Sequence, residues 1–338
     1  MFKTAIVGCG AISKTHAEAL RSVKNTELVA LCDPNTEKAD IRAKEYGGKV
    51  YSSLNDMLDN EKIDVLHICT PHYLHVPMAL EALKRGINVL MEKPPAISHD
   101  QFAELKNTCN ATNAKLGICF QNRYNGAVVE AKRLIEEKKL GKIIGARAIV
   151  TWSRSGVYYT ESGWRGQIDK EGGGVLINQS IHTLDLMTYI MGAPDKVTAQ
   201  SSNFHLPGII NEEDSITAYL EYKDKTAVFF ATTANCKDSP VLLEFYCENG
   251  SLRLEGNSLK VTYSDNTSDF KDYTVRSETG KACWGTSHTL LIGEFYECLE
   301  KTKDFPVTLE STVPSFNTMM AVYDSAKHKK SITPGEII

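Results

Sequence analysis

The sequence predicts a two-domain α/β protein, with a doubly wound parallel sheet first and an α+β domain with a mainly antiparallel sheet second. Residues 1–120 alternate short apolar runs with helical patterns, which indicates parallel strands covered by helices on both faces. After Tyr124 hairpin-like runs appear, such as 215–222 followed by 227–233, and these favour antiparallel pairing. The length of 338 residues also exceeds one typical core.

The predicted elements place the domain boundary near residue 121, so that residues 1–121 form the first domain and 122–338 the second. In the first domain we predict strands at 4–7, 28–32, 63–69, 88–91 and 115–120, and helices at 11–23, 37–46, 76–84 and 100–110, the last with Ser98 as its N-cap. In the second we predict a strand at 143–152, a second hairpin at 242–254, and helices at 127–139, 175–191, 287–301 and 311–328. The final helix is expected to pack back on the first domain.

The composition excludes several classes of protein. The net charge is −4 with scattered basic residues, so no nucleic-acid partner is expected. No apolar run reaches the roughly 18 residues that span a bilayer, and no signal-peptide pattern opens the chain, so we expect a cytoplasmic protein without a membrane partner. The nine cysteines form no C-x-x-C pair and several lie in apolar runs, which favours reduced core thiols over disulfides or a metal site.

A glycine-rich turn follows the first predicted strand and opens the first predicted helix, which is the context of a dinucleotide-binding fingerprint. Gly8 allows a tight turn, and Gly10 lets the backbone approach a pyrophosphate at the helix N-terminus. Ser13 stands in place of the third glycine. The sequence therefore predicts a Rossmann fold in which the pyrophosphate is held by Gly8, Cys9, Gly10, Ala11, Ile12 and Ser13.

Asp33 ends the second predicted strand, where an acidic group accepts hydrogen bonds from the ribose hydroxyls and repels a 2′-phosphate. This favours NAD over NADP. Lys38 is near enough to leave NADP open, and Asp-Pro is also a common turn.

Two further strand ends carry candidate ligands at the cofactor edge of the sheet. Thr70 and Pro71 end one strand, and His72 and His75 follow at the start of a helix, where they could touch ribose or nicotinamide or lie at the surface. For His72 we favour the surface.

Glu92 and Lys93 end the next strand as part of a Glu-Lys-Pro-Pro segment. A lysine in a nicotinamide site can bind a substrate oxygen and stabilise a developing alkoxide, or exchange a proton when partly desolvated. A surface lysine in a loop is the alternative.

The apolar helix after the glycine triplet 172–174 carries Asn178 and His182, four residues apart and on one face of an α-helix. An imidazole is suited to take a hydroxyl proton while hydride leaves the same carbon. Asn178 could hold the substrate or the histidine, and Asp185 could orient the ring. A core histidine bonded to Asp185 or to backbone is the alternative.

Aromatic and basic residues of the second domain are the candidates for sugar contacts, because aromatic rings stack on sugar faces and arginine binds carboxylate or phosphate in bidentate fashion. At least half of them are expected to pack the domain interface instead. They are Arg123, Tyr124, Trp152, Tyr158, Tyr159, Trp164 and Arg165.

These motifs together resemble the glucose–fructose oxidoreductase/inositol dehydrogenase (Gfo/Idh/MocA) family over nearly the whole chain. The residues that carry the resemblance are Gly8 to Ser13 with His16, Thr70-Pro71 with His75, Glu92-Lys93-Pro94, Arg123-Tyr124-Asn125, and Gly172 to Asp185. It implies a Rossmann domain, a second domain with a large open sheet, Lys93 as catalytic lysine and His182 as base. It also implies a sugar, sugar derivative or cyclitol as substrate. Many members have aspartate where this chain has Asn178, which leaves the substrate open.

The expected function is thus an NAD(P)-dependent dehydrogenase or reductase acting on CH–OH groups. A glycosidase that uses NAD in a transient oxidation and a nonenzymatic NAD(P)-binding regulator are the alternatives, and the presence of both Lys93 and His182 argues against the regulator. We expect a homodimer or homotetramer formed through the open sheet.

Overall fold

A computed structural model describes residues 1–274 and 287–335. The strands are β1 (Phe2–Val7), β2 (Thr26–Cys32), β3 (Lys49–Tyr51), β4 (Val65–Ile68), β5 (Asn88–Glu92), β6 (Leu116–Cys119), β7 (Ile143–Thr151), β8 (Lys196–Ser202), β9 (Ser215–Glu221), β10 (Thr226–Thr232), β11 (Leu242–Cys247), β12 (Gly250–Glu255), β13 (Ser258–Tyr263) and β14 (Ser268–Asp272). The α-helices are α1 (Ala11–Ser22), α2 (Thr36–Tyr46), α3 (Leu54–Asn60), α4 (His72–Lys84), α5 (His99–Ala111), α6 (Gly126–Glu136), α7 (Gly156–Thr160), α8 (Ile168–Glu171), α9 (Ile181–Met191), α10 (His288–Lys301) and α11 (Val313–His328).

The first unit comprises Met1–Gln121 and Ser287–Thr312. Its sheet has the strand order β3-β2-β1-β4-β5-β6, and every neighbouring pair is parallel. The strands are apolar and buried, as expected when helices cover both faces. Because β1 lies between β2 and β4, the order reverses there, and the turns after β1, β4 and β5 lie at one edge of the sheet.

The second unit comprises Asn122–Thr286 and Val313–Ile338. Its eight-stranded sheet has the order β14-β13-β12-β11-β7-β10-β9-β8. β7 and β10 pair in parallel, and the other neighbours are antiparallel. One face alternates Ile216, Ala218 and Leu220 into the core, while Tyr219 lies on the other face. α9 and α11 pack within this unit, α11 against β8.

The predicted fold class is confirmed, and most predicted elements are found within a few residues of their expected bounds. Ser98 caps α5, since its side chain accepts a hydrogen bond from the backbone N–H of Gln101. Seven elements were not predicted: β3, β8, β13, β14, α3, α7 and α8. α11 is part of the second unit, and the preceding helix α10 packs against α1 in the first unit. The packing of the final helix on the first domain stays a prediction.

The apolar segment predicted as one helix is in fact two elements. A π-helical turn, Leu176–Ser180, precedes α9. Asn178 therefore lies in the π-turn and His182 in the α-helix, so the angular offset expected of an unbroken α-helix does not apply to them. π-turns of this kind are frequent at functional sites.

Within the described residues, no helix is long and apolar enough to cross a membrane. The cytoplasmic location stays a prediction. The described cysteines are free thiols, most of them buried, in agreement with the sequence.

Candidate cofactor and substrate sites

The glycine-rich turn after β1 has the shape that a nucleotide requires. Gly8 adopts φ +86°, and a Cβ there would lie 2.6 Å from the carbonyl oxygen of Cys69. A Cβ on Gly10 would meet no atom within 4 Å, so the backbone is open on that side. Gly10 is also the N-cap of α1, and no side chain caps the helix there. An open backbone beside a helix N-terminus fits a pyrophosphate.

Gly8→Ala is expected to destabilise the first unit and to weaken NAD binding at least tenfold. The new Cβ would clash with backbone atoms of Cys69 that cannot rotate away, and φ would stay in the left-handed region. Thermal unfolding and an NAD titration measure the two effects. Gly86→Ala is the matched control, because Gly86 also has positive φ (+77°) but open space around it. Equal losses in both variants would contradict the close approach.

Ser13, at the third glycine position, ties the turn to its surroundings. Its hydroxyl donates to the carbonyl oxygen of Gly10 at 2.6 Å and accepts from Nε of Arg42 at 3.1 Å. Arg42 on α2 was not foreseen, because no motif marks it. Its guanidinium places a positive charge beside the turn.

Asp33 binds two backbone N–H groups, one through each carboxylate oxygen. One carboxylate oxygen accepts from the N–H of Cys9 at 2.8 Å, and the other accepts from the N–H of Asn35 at 2.9 Å. The carboxylate thus shapes its own turn and anchors the glycine-rich turn. Each oxygen keeps a second lone pair, which ribose hydroxyls can use.

The turn after β4 contains a buried hydroxyl without a hydrogen-bond partner in the described residues, and a histidine that contacts two backbone carbonyl oxygens. Thr70 Oγ1 is buried and has no hydrogen-bond partner in the described part of the chain, which suits contact with a cofactor. His75 is fully buried, and its ring nitrogens lie 2.9 Å from the carbonyl oxygens of Pro94 and Thr70. Because burial lowers the pKa of His75, its neutral ring donates to one of these two carbonyl oxygens. The surface position expected for His72 is wrong, since only 3% of it is exposed.

Glu92 lies in a buried cluster of histidines that the sequence did not predict, and its contact with the cofactor stays a prediction. Its Oε1 atom lies 3.0 Å from Nε2 of His16 and 3.3 Å from Nε2 of His288. Burial opposes the charged form, but the hydrogen bonds from the two histidines outweigh it and hold the pKa of Glu92 well below its ordinary value.

The cluster continues from His16 through the core of the first unit. Nδ1 of His16 lies 2.8 Å from Nδ1 of His67, Nε2 of His67 lies 2.9 Å from the Tyr296 hydroxyl, and that hydroxyl lies 2.7 Å from Oγ1 of Thr4. With neutral rings one proton arrangement satisfies every contact. Thr4 donates to Tyr296, Tyr296 to His67, His67 to His16, and His16 to Glu92.

Lys93 follows this anchored strand end. Between residues 89 and 96 it alone is partly exposed, and its neighbours are buried. The carbonyl oxygen of the following Pro94 lies 2.9 Å from Nδ1 of His75.

In the second unit, Arg123 and Asp185 form a buried ion pair. Nε and Nη2 of Arg123 donate to the two carboxylate oxygens at 2.8 and 2.6 Å, and the guanidinium also lies over the Tyr189 ring. Both carboxylate oxygens of Asp185 bind Arg123, and the proposed orientation of His182 by Asp185 stays a prediction. Arg123 is 7% exposed, and its contact with the substrate stays a prediction.

Asn178 and His182 stand out by exposure. Every residue from 171 to 188 is buried except these two, which are partly exposed. The side-chain amide of Asn178 donates to the carboxylate of Glu171, a fully buried residue that no sequence signal marked.

Glu213 holds the beginning of the same helical segment and was also not foreseen. Its carboxylate accepts from the N–H groups of Gly174 at 2.9 Å and Leu176 at 3.0 Å, and from the Tyr323 hydroxyl at 3.0 Å. Burial raises the pKa of Glu213 to about 7. The carboxylate takes the place of a cap at this helix N-terminus.

Half-buried aromatic and basic side chains surround the loop between β7 and α8. Arg165 lies 4.4 Å from the Tyr158 ring centroid and 4.8 Å from that of Trp164, and Trp152 donates to the Ser239 carbonyl. Tyr159 is 2% exposed and packs with Leu206 and Ile210, so it is a core residue. Tyr124 lies in the 3-10 turn Gln121–Tyr124 and is partly exposed.

Comparison with known proteins matches both parts of the chain. Residues 2–120 match the profile of the "Oxidoreductase family, NAD-binding Rossmann fold", and residues 128–253 match the "GFO/IDH/MocA C-terminal domain". Residues 2–120 are thus an NAD-binding Rossmann domain.

Two curated relatives and one solved structure illustrate the similarity. Glucose-6-phosphate 3-dehydrogenase of Bacillus subtilis is 31% identical over 56% of this chain and 54% of its own length. D-glucoside 3-dehydrogenase of Escherichia coli is 28% identical over 72% of this chain and 74% of its own. The aligned segment thus spans about half of the first relative and three quarters of the second.

The WlbA dehydrogenase of Bordetella pertussis, solved with NADH and UDP-GlcNAcA, is 26% identical with a TM-score of 0.87, covering 100% of this chain and 99% of that one. The resemblance inferred from the motifs is confirmed, and the chain belongs to the Gfo/Idh/MocA oxidoreductase family.

Proposed function

We propose that this chain is an NAD-dependent dehydrogenase that oxidises a hydroxyl of a sugar, sugar derivative or cyclitol, or reduces the corresponding carbonyl. The observation that carries the proposal is the pattern of exposure at the motif residues. Lys93 in one unit, and Asn178 and His182 in the other, are the partly exposed residues of otherwise buried segments. A buried segment in which only polar side chains are accessible to solvent is typical of a binding or catalytic site.

Each residue has a chemical role in this proposal. NAD, when bound, accepts a hydride from the substrate carbon. The Lys93 ammonium hydrogen-bonds the substrate oxygen and stabilises negative charge on it. His182 takes the hydroxyl proton in oxidation and returns it in reduction. The turn from Gly8 to Ser13 holds the pyrophosphate, and Thr70 Oγ1 supplies a further polar contact.

The substrate class follows from the relatives and from the loop after β7. The relatives named above act on a glucose phosphate and a glucoside, and the structural neighbour binds a nucleotide sugar. Trp152, Tyr158 and Trp164 offer ring surface to a sugar, and Arg165 offers a charge to a phosphate or carboxylate.

A panel of free sugars, sugar phosphates, glycosides, sugar nucleotides and inositols, with NAD and the absorbance of NADH as readout, tests the proposal. Turnover with at least one polyol is expected. Product analysis on the glycosides distinguishes the glycosidase alternative, which would cleave the bond without net NADH. No NADH with any member and no cleavage would contradict the dehydrogenase.

Asp33→Ser is expected to weaken NAD binding about tenfold or more, because ribose hydroxyls lose a charged acceptor. NADP binding should change little or improve, since the repulsion of a 2′-phosphate is removed. Serine keeps an acceptor near the Cys9 N–H, which limits damage to the turn. Binding titrations with both nucleotides measure the change. Tighter NADP than NAD in the unmodified protein would refute the preference.

We also propose that the protein is a homodimer or homotetramer that associates through the second face of the eight-stranded sheet. Ile144 is 55% exposed, and Tyr219 and Val228 are each 44% exposed on neighbouring strands. Such an apolar face favours association. Val228→Lys should lower the molecular mass that light scattering measures at micromolar concentration. Phe204→Lys is the control, because Phe204 is an exposed loop residue, and it should leave the mass unchanged. A monomeric unmodified protein would contradict the proposal.

A further inference from the structure

Glu171 is a fully buried carboxylate that ends α8, just before the glycine triplet. One of its oxygens accepts from the backbone N–H of Gly166, and the other accepts from the side-chain amide of Asn178. The ionised carboxylate satisfies both N–H groups as an acceptor. Glu171 thus connects the loop of Trp164 and Arg165 to the π-turn that carries Asn178.

This contact fixes the orientation of the Asn178 amide. A carboxylate only accepts hydrogen bonds, so Nδ2 of Asn178 faces Glu171, and the Tyr158 hydroxyl lies 3.5 Å from the same nitrogen. The amide is planar, so its carbonyl oxygen Oδ1 lies on the side away from Glu171. Gln179 reinforces the arrangement by donating to the Tyr158 hydroxyl at 3.2 Å.

The same contact explains why an amide stands at position 178. An aspartate there would bring a second carboxylate within hydrogen-bond distance of the fully buried Glu171, and one of the two would have to keep a proton. The pair therefore holds one negative charge, on Glu171, and presents an uncharged acceptor at Asn178.

We propose that Glu171 is a positioning residue that sets the hydrogen-bond polarity of Asn178 and thereby selects a substrate hydroxyl. Asn178 accepts a hydrogen bond from that hydroxyl through Oδ1, while the charge stays buried behind it on Glu171. This inference rests on the proposed function, in which the substrate binds at Asn178 and His182. A ring position with a hydroxyl, a donor, is preferred over one that carries only an acceptor.

An exchange of the two side chains tests this proposal. Glu171→Gln and Asn178→Asp are compared singly and together, with the best polyol of the panel as probe. Each single variant is expected to lose about 10- to 100-fold in kcat/KM, the loss of one charged hydrogen bond. The double variant keeps the same atoms and one charge, now on residue 178, and should recover most of the loss. Glu161→Gln, an exposed glutamate ten residues earlier, is the control and should have no effect.

The pH profile adds a readout that a merely structural role would not move. In Asn178→Asp the two carboxyl groups share a proton at low pH and repel each other once it is lost. The kcat/KM of this variant should therefore fall as pH rises, with an extra ionisation that is absent from the unmodified protein and from the double variant.

Each of three results would overturn the proposal. In the first, Glu171→Gln lowers only Tm and leaves kcat, KM and the pH profile unchanged. In the second, the double variant recovers no kcat/KM. The third is an equal exchange rate for the Asn178 side-chain amide protons in the unmodified protein and in Glu171→Gln. The last measurement, by NMR, needs no substrate. It therefore tests whether Glu171 positions Asn178 even if the panel yields no NADH. A panel without NADH would contradict the proposed function and not the contact between Glu171 and Asn178.

Discussion

Replacing Lys93 or His182 with alanine is expected to lower kcat on the true substrate by about two to four orders of magnitude. Lys93→Ala removes the positive charge that stabilises the substrate oxygen, and His182→Ala removes the group that exchanges its proton. Steady-state formation of NADH measures the loss. The affinity for NAD, measured by titration, should change little, because the pyrophosphate and ribose contacts come from the glycine-rich turn and Asp33.

Lys84→Ala is the matched control for the lysine, since Lys84 is exposed on α4 and should tolerate the change. Near-normal turnover in His182→Ala would show that His182 is not the base, and Lys93 and Tyr124 would be the next candidates for that role. Tyr159 is a poor candidate for the base, because burial raises the pKa of its hydroxyl further above the ordinary value. Full activity in both alanine variants would refute the assignment of these residues to one reaction.

The features predicted correctly are those that depend on local sequence. The turn from Gly8 to Ser13 needs a glycine where φ is positive, and alternating apolar runs define parallel strands without knowledge of distant residues. Lys93 was placed correctly because the carboxyl end of a parallel strand lies at a fixed edge of the sheet.

The features that were missed depend on contacts between residues far apart in the chain. Nothing near Glu92 in the sequence shows that His288, almost two hundred positions away, contacts its carboxylate. Helical spacing suggested that Asp185 could orient His182, and it did not show that Arg123, from another element, binds both carboxylate oxygens. Side-chain pairing of this kind is decided by tertiary packing, which periodicity does not report.

The π-turn shows a third kind of error. Residues 175–191 are apolar throughout, and a uniformly apolar pattern has no period that would reveal one extra residue in a turn. The structure places Asn178 in that turn, and the buried carboxylates Glu171 and Glu213 hold its residues by hydrogen bonds.

Acid is expected to destabilise the first unit through the buried chain of histidines. Burial lowers the pKa of His67 well below its ordinary value of 6.5 and lowers that of His16 in the same direction. The unfolded chain takes up these protons near pH 6.5, whereas the folded chain does not. Stability is therefore fully present above pH 6.5 and falls as the pH drops below it, by up to about 1.4 kcal/mol per pH unit for each histidine.

Glu92 adds a second loss at lower pH. Its pKa is depressed from the model-compound value of 4.5, so its contribution to stability is present above that pH and disappears as the pH falls through the lower folded-state value. The neighbouring thiols do not compensate, because burial beside Glu92 raises the pKa of Cys69 and Cys119 and keeps both protonated.

His67→Gln separates the titration from the hydrogen bonds. A glutamine amide can accept from the Tyr296 hydroxyl and donate to Nδ1 of His16, as the neutral imidazole does, but it takes up no proton in this range. Urea unfolding between pH 7.5 and about 5 should therefore show that the free energy of unfolding falls less steeply with decreasing pH in His67→Gln than in the unmodified protein. The difference in slope corresponds to the uptake of up to about one proton per molecule on unfolding. His328→Gln is the control: His328 is exposed and takes no part in this hydrogen-bond network, so the change should leave the pH dependence of the unfolding free energy unaltered. Parallel curves for the unmodified protein and His67→Gln would show that His67 gains its proton without cost, and the neutral arrangement running from Thr4 to Glu92 would be wrong.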